Sequence, residues 1–161
     1  MHVDIEGTKR IARLAAGYDW SWTIDDLSPF CAQAGWEMVE SDDLGASIQT
    51  DLEVSRPEAI MYGRNRRMDY FIAFVTDLAE DDTPMSEVRP VLDEGFADIS
   101  AELTALFGAP ARFEPGVEAN VRWDLPEITI ALGQSFGALH LYLKSPKYQA
   151  RMDEPEPLDE D

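Results

Sequence analysis

Apolar positions at helical spacing open the chain. Ile11, Leu14 and Ala15 share one face of a segment that Asp4 can cap and Gly17 can stop. After Tyr18-Asp19-Trp20-Ser21-Trp22, Thr23 is the expected cap of a second helix, with Asp25 and Asp26 beside its positive end. Ile24, Leu27, Phe30, Cys31 and Ala34 recur on one face, and Gly35 ends it. From Trp36 the period becomes two. Trp36 and Met38 flank Glu37, while Ile48, Thr50, Leu52 and Val54 alternate with Ser47, Gln49, Asp51 and Glu53. Asp43-Leu44-Gly45 reads as the turn between these strands. A third strand is expected over 59–64 and a fourth over 69–76. In the fourth, Tyr70, Ile72 and Phe74 oppose Phe71, Ala73 and Val75, so both faces are apolar. Such a strand sits centrally in its sheet or has one face covered.

Glu80-Asp81-Asp82-Thr83-Pro84 introduces the longest helix, with a carboxylate cluster ahead of it and proline in its first turn. Val88, Leu92, Phe96, Ile99, Leu103 and Leu106 form its stripe, and Gly108 and Pro110 end it. Two last strands are predicted, 118–125 and 128–143, the second folded into a hairpin at Gly133-Gln134-Ser135-Phe136-Gly137. The fold class is α+β: an antiparallel sheet with helices packed on one face. The other face then carries Gln49, Asp51, Glu53, Glu118, Asn120, Arg122, Asp124, His140 and Tyr142. Residues 144–161 read as a tail outside the core, and the domain is placed at 1–148, with an acidic, proline-containing tail over 149–161. No internal sequence repeat is visible.

Charge changes this picture most. Against 13 basic side chains stand 32 acidic ones, a net charge of −19 over 161 residues. Six of the carboxylates and one arginine lie in 150–161; the remainder holds 26 acidic and 12 basic residues, or −14, so the folded part is acidic in its own right. Salt-loving organisms make acidic, lysine-poor proteins throughout, which is the plain alternative for this imbalance. With 45 % hydrophobic residues the chain still folds. Its field repels nucleic acid and anionic membranes and draws in basic proteins. No apolar run nears the roughly 20 residues of a membrane span, the start lacks a signal-peptide pattern, and Cys31 stands alone. The expectation is a cytoplasmic protein.

Candidate chemistry is thin. His2 and His140 are the two histidines, and His140, between Leu139 and Leu141, points away from the core without a triad partner. Cys31 lies on an apolar helix face and reads as packing. Three cysteine and histidine side chains cannot make a four-ligand zinc site, and Asp42-Asp43 and Glu80-Asp81-Asp82 lack EF-hand spacing. The glycine hairpin at 133–137 is flanked by strands, whereas a nucleophile elbow needs strand then helix. The expectation is no enzyme, no cofactor and no metal. Arg64-Asn65-Arg66-Arg67, with Arg56 upstream, is a basic corner that either receives an acidic segment such as the tail or guards the apolar fourth strand. Trp20, Trp22 and Trp36 frame the second helix as core or as an exposed anchor.

Two acidic binders of different kinds fit. One is an immunity protein that occludes the active site of a toxin domain with a basic surface. The other is a secretion chaperone, because the order of helix, three strands, long helix and further strands resembles the small acidic chaperones of type III secretion. An oligomeric regulator ranks third. At Tyr18-Asp19-Trp20-Ser21-Trp22-Thr23 and Cys31-Ala32-Gln33-Ala34-Gly35-Trp36 the chain resembles a family of small actinobacterial proteins, itself similar to the immunity factor of the tuberculosis necrotizing toxin. That resemblance covers the first half and implies a cytoplasmic inhibitor of a secreted toxin domain, NAD hydrolysis being among the activities it could check. It carries over no binding residue. The expected contact residues are Asp42, Asp43, Asp51, Glu53, Glu80, Asp81 and Asp82, with Tyr62 or Tyr142 as an apolar anchor.

Overall fold

The computed structural model describes residues 1–135 and 137–155; Phe136 of the expected hairpin and 156–161 of the expected tail lie outside them. Four helices and eight strands follow the order α1 (Ile5–Gly17), α2 (Leu27–Ala34), β1 (Glu37–Asp42), β2 (Gly45–Gln49), β3 (Glu58–Arg64), β4 (Arg67–Phe74), α3 (Met85–Phe107), β5 (Arg112–Glu114), β6 (Asn120–Asp124), β7 (Thr129–Gln134), β8 (Leu139–Lys144) and α4 (Pro146–Asp153). The fold is α+β. All strands form one antiparallel sheet in the order β1-β2-β3-β4-β8-β7-β6-β5. Two meanders of four strands, each preceded by helix, thus meet at the β4–β8 pair. No sequence repeat announces this duplication, since topology repeats without residue identity.

Local chemistry sets the elements. The Asp4 carboxylate accepts from Gly7 N at 2.9 Å to cap α1, and its second oxygen accepts from Glu53 N at 2.8 Å. Gly35, at φ 77°, closes α2 in the left-handed region. Thr23 makes no capping bond, contrary to expectation. Asp26 instead folds back to accept from Ser21 N, Ser21 Oγ and Trp22 N at 2.8–2.9 Å. It thereby satisfies a turn in which Trp22 is held at φ 59°. Asp26 is itself buried, so replacing it by alanine strands those amides and should cost about 2 kcal/mol in a urea melt; a loss under about 0.5 kcal/mol would show the turn held by packing alone. Pro84 stands at the cap of α3 rather than inside its first turn.

α1, α2 and α3 cover one face of the sheet. Met61, Phe71, Ala73, Ile130, Leu132, Leu141 and Leu143 point into that layer and are buried. Trp20, Trp22 and Trp36 are buried there too, which removes the exposed-anchor alternative. At Gly95 a Cβ would stand 3.0 Å from Val3 and 3.3 Å from Leu139, so glycine lets α3 close on the sheet. As its two apolar faces imply, β4 is central.

Two expectations change. The second strand stops at Gln49, because Thr50 N donates to Pro57 O and Leu52 N to Thr50 Oγ, turning the chain toward the helices. Leu52 packs on Gly7 of α1, so Asp51 and Glu53 leave the sheet face assigned to them. Nor is 144–153 a tail. Lys144 ends β8, and Ser145 caps α4, with Pro146 at its first position. Its period is short and polar (mostly exposed residues around buried Gln149), so apolar spacing gives no signal. The boundary drawn at 149 falls inside this helix. α4 crosses the face opposite the other three helices.

Candidate functional site

Alternation puts Tyr70, Ile72 and Phe74 of β4 and His140, Tyr142 and Lys144 of β8 on the sheet face away from α1–α3. Ile60 and Tyr62 of β3 extend the row, since Ile60 pairs with Ile72 and Tyr62 with Tyr70. The result is an aromatic band: Tyr62–Tyr70 centroids lie 5.1 Å apart, Tyr70–Tyr142 6.5 Å and Phe74–His140 4.7 Å. Arg56 stands 5.9 Å over the Phe74 ring, and Lys144 5.0 Å over Tyr142. Burial raises the Tyr70 and Tyr142 phenols and lowers His140, so the imidazole is held toward its neutral form.

α4 covers one half of this face. Tyr148 sits 5.0 Å from Tyr70, and Lys144 Nζ donates to Gln149 Oε1 at 3.1 Å. Asp153 receives two bonds from the Arg122 guanidinium at 2.7 and 2.9 Å, while Arg122 also reaches Asp124 at 3.0 and 3.2 Å. Arg112 adds a contact to Asp153 at 3.6 Å. The Arg122 hydrogen bonds hold the Asp153 carboxyl down at about 2.

The other half is open. Ile60 remains 37 % exposed, Tyr62 42 % and Val39 63 %. Two adjoining grooves, of about 590 and 360 Å³, run over β1–β3 and share Ser47 and Ile60. The residues paired across the edge of this half include Glu37, Glu40, Asp42 and Glu58. Arg56 is 3.5 Å from Glu58.

The expected contact residues do not gather in one place. Asp42 and Asp43 occupy the β1–β2 turn, where Asp42 Oδ1 accepts from Leu44 N at 2.8 Å and Gly45 N at 3.1 Å. The same turn shares a cleft with Arg64, Arg66 and Arg67, so part of its negative charge is offset locally. Arg66 reaches Asp25, and Asn65 and Arg66 take positive φ to make the β3–β4 hairpin. Among the described residues, Asp153 binds Arg122 and Arg112 rather than that basic corner. Asp51 pairs with Arg10 of α1, and Glu53 lies beside Asp4. Glu80 and Asp81 line a separate groove with Arg56 and Asp77, and Asp82 follows them in the loop before α3. Tyr62 and Tyr142 alone lie in the aromatic band. Tyr70, Phe74 and Tyr148 belong with them although the expected site omitted them; the doubly apolar pattern of β4 was the available signal.

Cys31 is buried, and desolvation pushes its thiol up to about 11, as suits a packing residue. No described helix is long and apolar enough to cross a membrane. No curated protein and no solved structure matches the chain. Both meanders and the strand residues of the aromatic band fall within residues 6–145, which match DUF6301, a family of unknown function, and the chain belongs to that family.

Proposed function

We propose that the protein is an immunity protein that binds a cognate toxin domain bearing a basic surface and occludes its active site, NAD-hydrolysing toxins being one class within reach. The observation that supports this reading is the half-exposed aromatic band edged by Glu37, Glu40, Asp42 and Glu58, only part of whose charge is offset by neighbouring arginines, on a chain of net charge −19. Aromatic side chains give large contact area at small entropic cost. Surrounding negative charge speeds encounter with a basic partner. Neither feature organises a reaction, and both serve adhesion.

An immunity protein should have a toxin-domain gene directly upstream, and the test uses the domain encoded there. Co-expression should restore growth, and one equivalent of purified protein should reduce the toxin's turnover to background. Association should slow about ten-fold between 50 and 500 mM salt. Asp43→Lys, which leaves Asp42 to hold its turn, should slow it about three-fold at low salt. Full toxin activity in the presence of a ten-fold excess of protein would sink the proposal. So would binding confined to an unfolded leader segment of an intact secreted protein, which belongs to a chaperone.

A further inference from the structure

The sheet has an approximate two-fold axis between Ile72 and Tyr142, which face each other in the β4–β8 pair. Counting outward through the registers relates β3 to β7, β2 to β6 and β1 to β5: Ile60 corresponds to Ala131, Ser47 to Arg122 and Glu40 to Arg112. The same operation relates Tyr70 to His140 and Lys144 to Phe74. The residues that seat α4 therefore have counterparts on the open half. Tyr148 rests on Tyr70, whose counterpart is His140; Gln149 meets Lys144, whose counterpart is Phe74.

The basic charge of the bed beneath α4 is not repeated in the open one, where one related position is acidic and the other neutral. Beneath the end of α4 lie Arg112 and Arg122, and the helix answers them with Asp153. At the corresponding places in the open bed stand Glu40 and Ser47, with Glu37 nearby on the same face and Glu58 3.5 Å from Arg56, which stands over Phe74 at one end of the bed. The floor there is more apolar, with Ile60, Ile72 and Phe74. From this juxtaposition we infer that the open half is a second helix-docking bed, and that its occupant is an amphipathic helix of a partner protein carrying lysine or arginine where α4 carries Asp153. The inference rests on the protein-binding part of the proposal above, not on the partner being a toxin. α4 is committed to the other bed, and 156–161, with four acids and no base, is a poor electrostatic match for Glu37 and Glu40. A second copy brings the same −19 charge and is repelled.

The probe is a fluorescent 14-residue helix of leucine and lysine, compared with the same peptide bearing glutamate for lysine. The lysine peptide should bind at least thirty-fold more tightly, measured by anisotropy at 150 mM salt. Ile60→Asp supplies the decisive sign. Diffuse attraction to an acidic surface is strengthened by an added carboxylate, whereas a helix seated on Ile60 is weakened, here by ten-fold or more. Asp98→Asn, exposed on α3 over the opposite face of the sheet, should change affinity less than two-fold. Thermal melts of both variants within a few degrees of the parent confirm that the fold is kept. Unchanged or tighter binding by Ile60→Asp would overturn the inference, as would equal binding of the two peptides. A dimer in sedimentation that Ile60→Asp abolishes would overturn it in favour of a second copy. Peptide binding that obeys these signs while no toxin is inhibited would leave the bed standing and remove the immunity reading.

Discussion

Replacing Phe30 by alanine will destabilise the protein by about 4 kcal/mol, lowering its melting temperature by roughly 12 °C for a chain of this size. Phe30 is fully buried, and four rings surround it: Trp20 at 4.8 Å, Tyr18 at 5.4 Å, Phe71 at 5.5 Å and Trp36 at 5.8 Å. Tyr18 and Trp20 come from the segment between α1 and α2, Trp36 from the residue before β1, and Phe71 from the centre of β4. The site cannot collapse by moving one side chain, because each ring is anchored elsewhere. Trp20 Nε1, for example, donates to Ala15 O at 2.8 Å. The cavity therefore persists, and its cost adds to the lost transfer energy. Tyr62→Ala, on the open face, should cost under about 1 kcal/mol by the same urea titration. A Phe30 variant within 1 kcal/mol of the parent would show that this cluster does not hold the helix layer to the sheet.

Arg122→Ala should cost about 2 to 3 kcal/mol and free α4 from the sheet. Arg122 is nearly buried and binds Asp153 and Asp124 together, so its loss leaves two carboxylates facing each other with Arg112 and Lys144 as the nearest cations. The figure sits below that of a fully buried pair because Asp153 and Asp124 are 26 % and 43 % exposed and water screens them. Acid should report the same bond. The ordinary value for Asp153 is 3.8 and the Arg122 bonds depress it to about 2. A depressed carboxyl stabilises the fold fully above its unfolded value, and that contribution is lost as pH falls through the folded one. The parent should therefore lose this increment between about pH 4 and pH 2, and Arg122→Ala should show a flatter limb there. Truncation after Gln149 should mimic the substitution, measured by denaturant melts from pH 2 to 7. Equal stability of parent and truncated chain at pH 7 would reduce α4 to an ornament.

On the inference above, the open bed and the α4 bed divide one sheet face between a partner's helix and a helix of this chain. Tyr142 and Tyr70 lie at their boundary, 6.5 Å apart. A partner seated on Ile60 and Phe74 would complete a face already half closed, and the pre-formed half costs it no ordering.

Period and punctuation were enough to write most of the layered plan. Asp4 and Gly35 as helix limits, the α3 stripe, the central place of β4 and the outward direction of His140 all follow from neighbours within a few residues, where sterics and capping act. Tertiary structure alone decided what distant contacts control. Asp26 became a turn staple and not a first-turn acid because Ser21 and Trp22 needed its oxygens. Asp51 and Glu53 left the sheet because α1 offered Arg10, Asp4 and a groove at Gly7. The polar stretch after Lys144 became a helix because Arg122, more than 20 residues earlier, supplied a partner for Asp153. Apolar spacing records what a segment buries, but a helix held by charge leaves no such mark, and the strand order that sets two meanders back to back is fixed only when β4 pairs with β8.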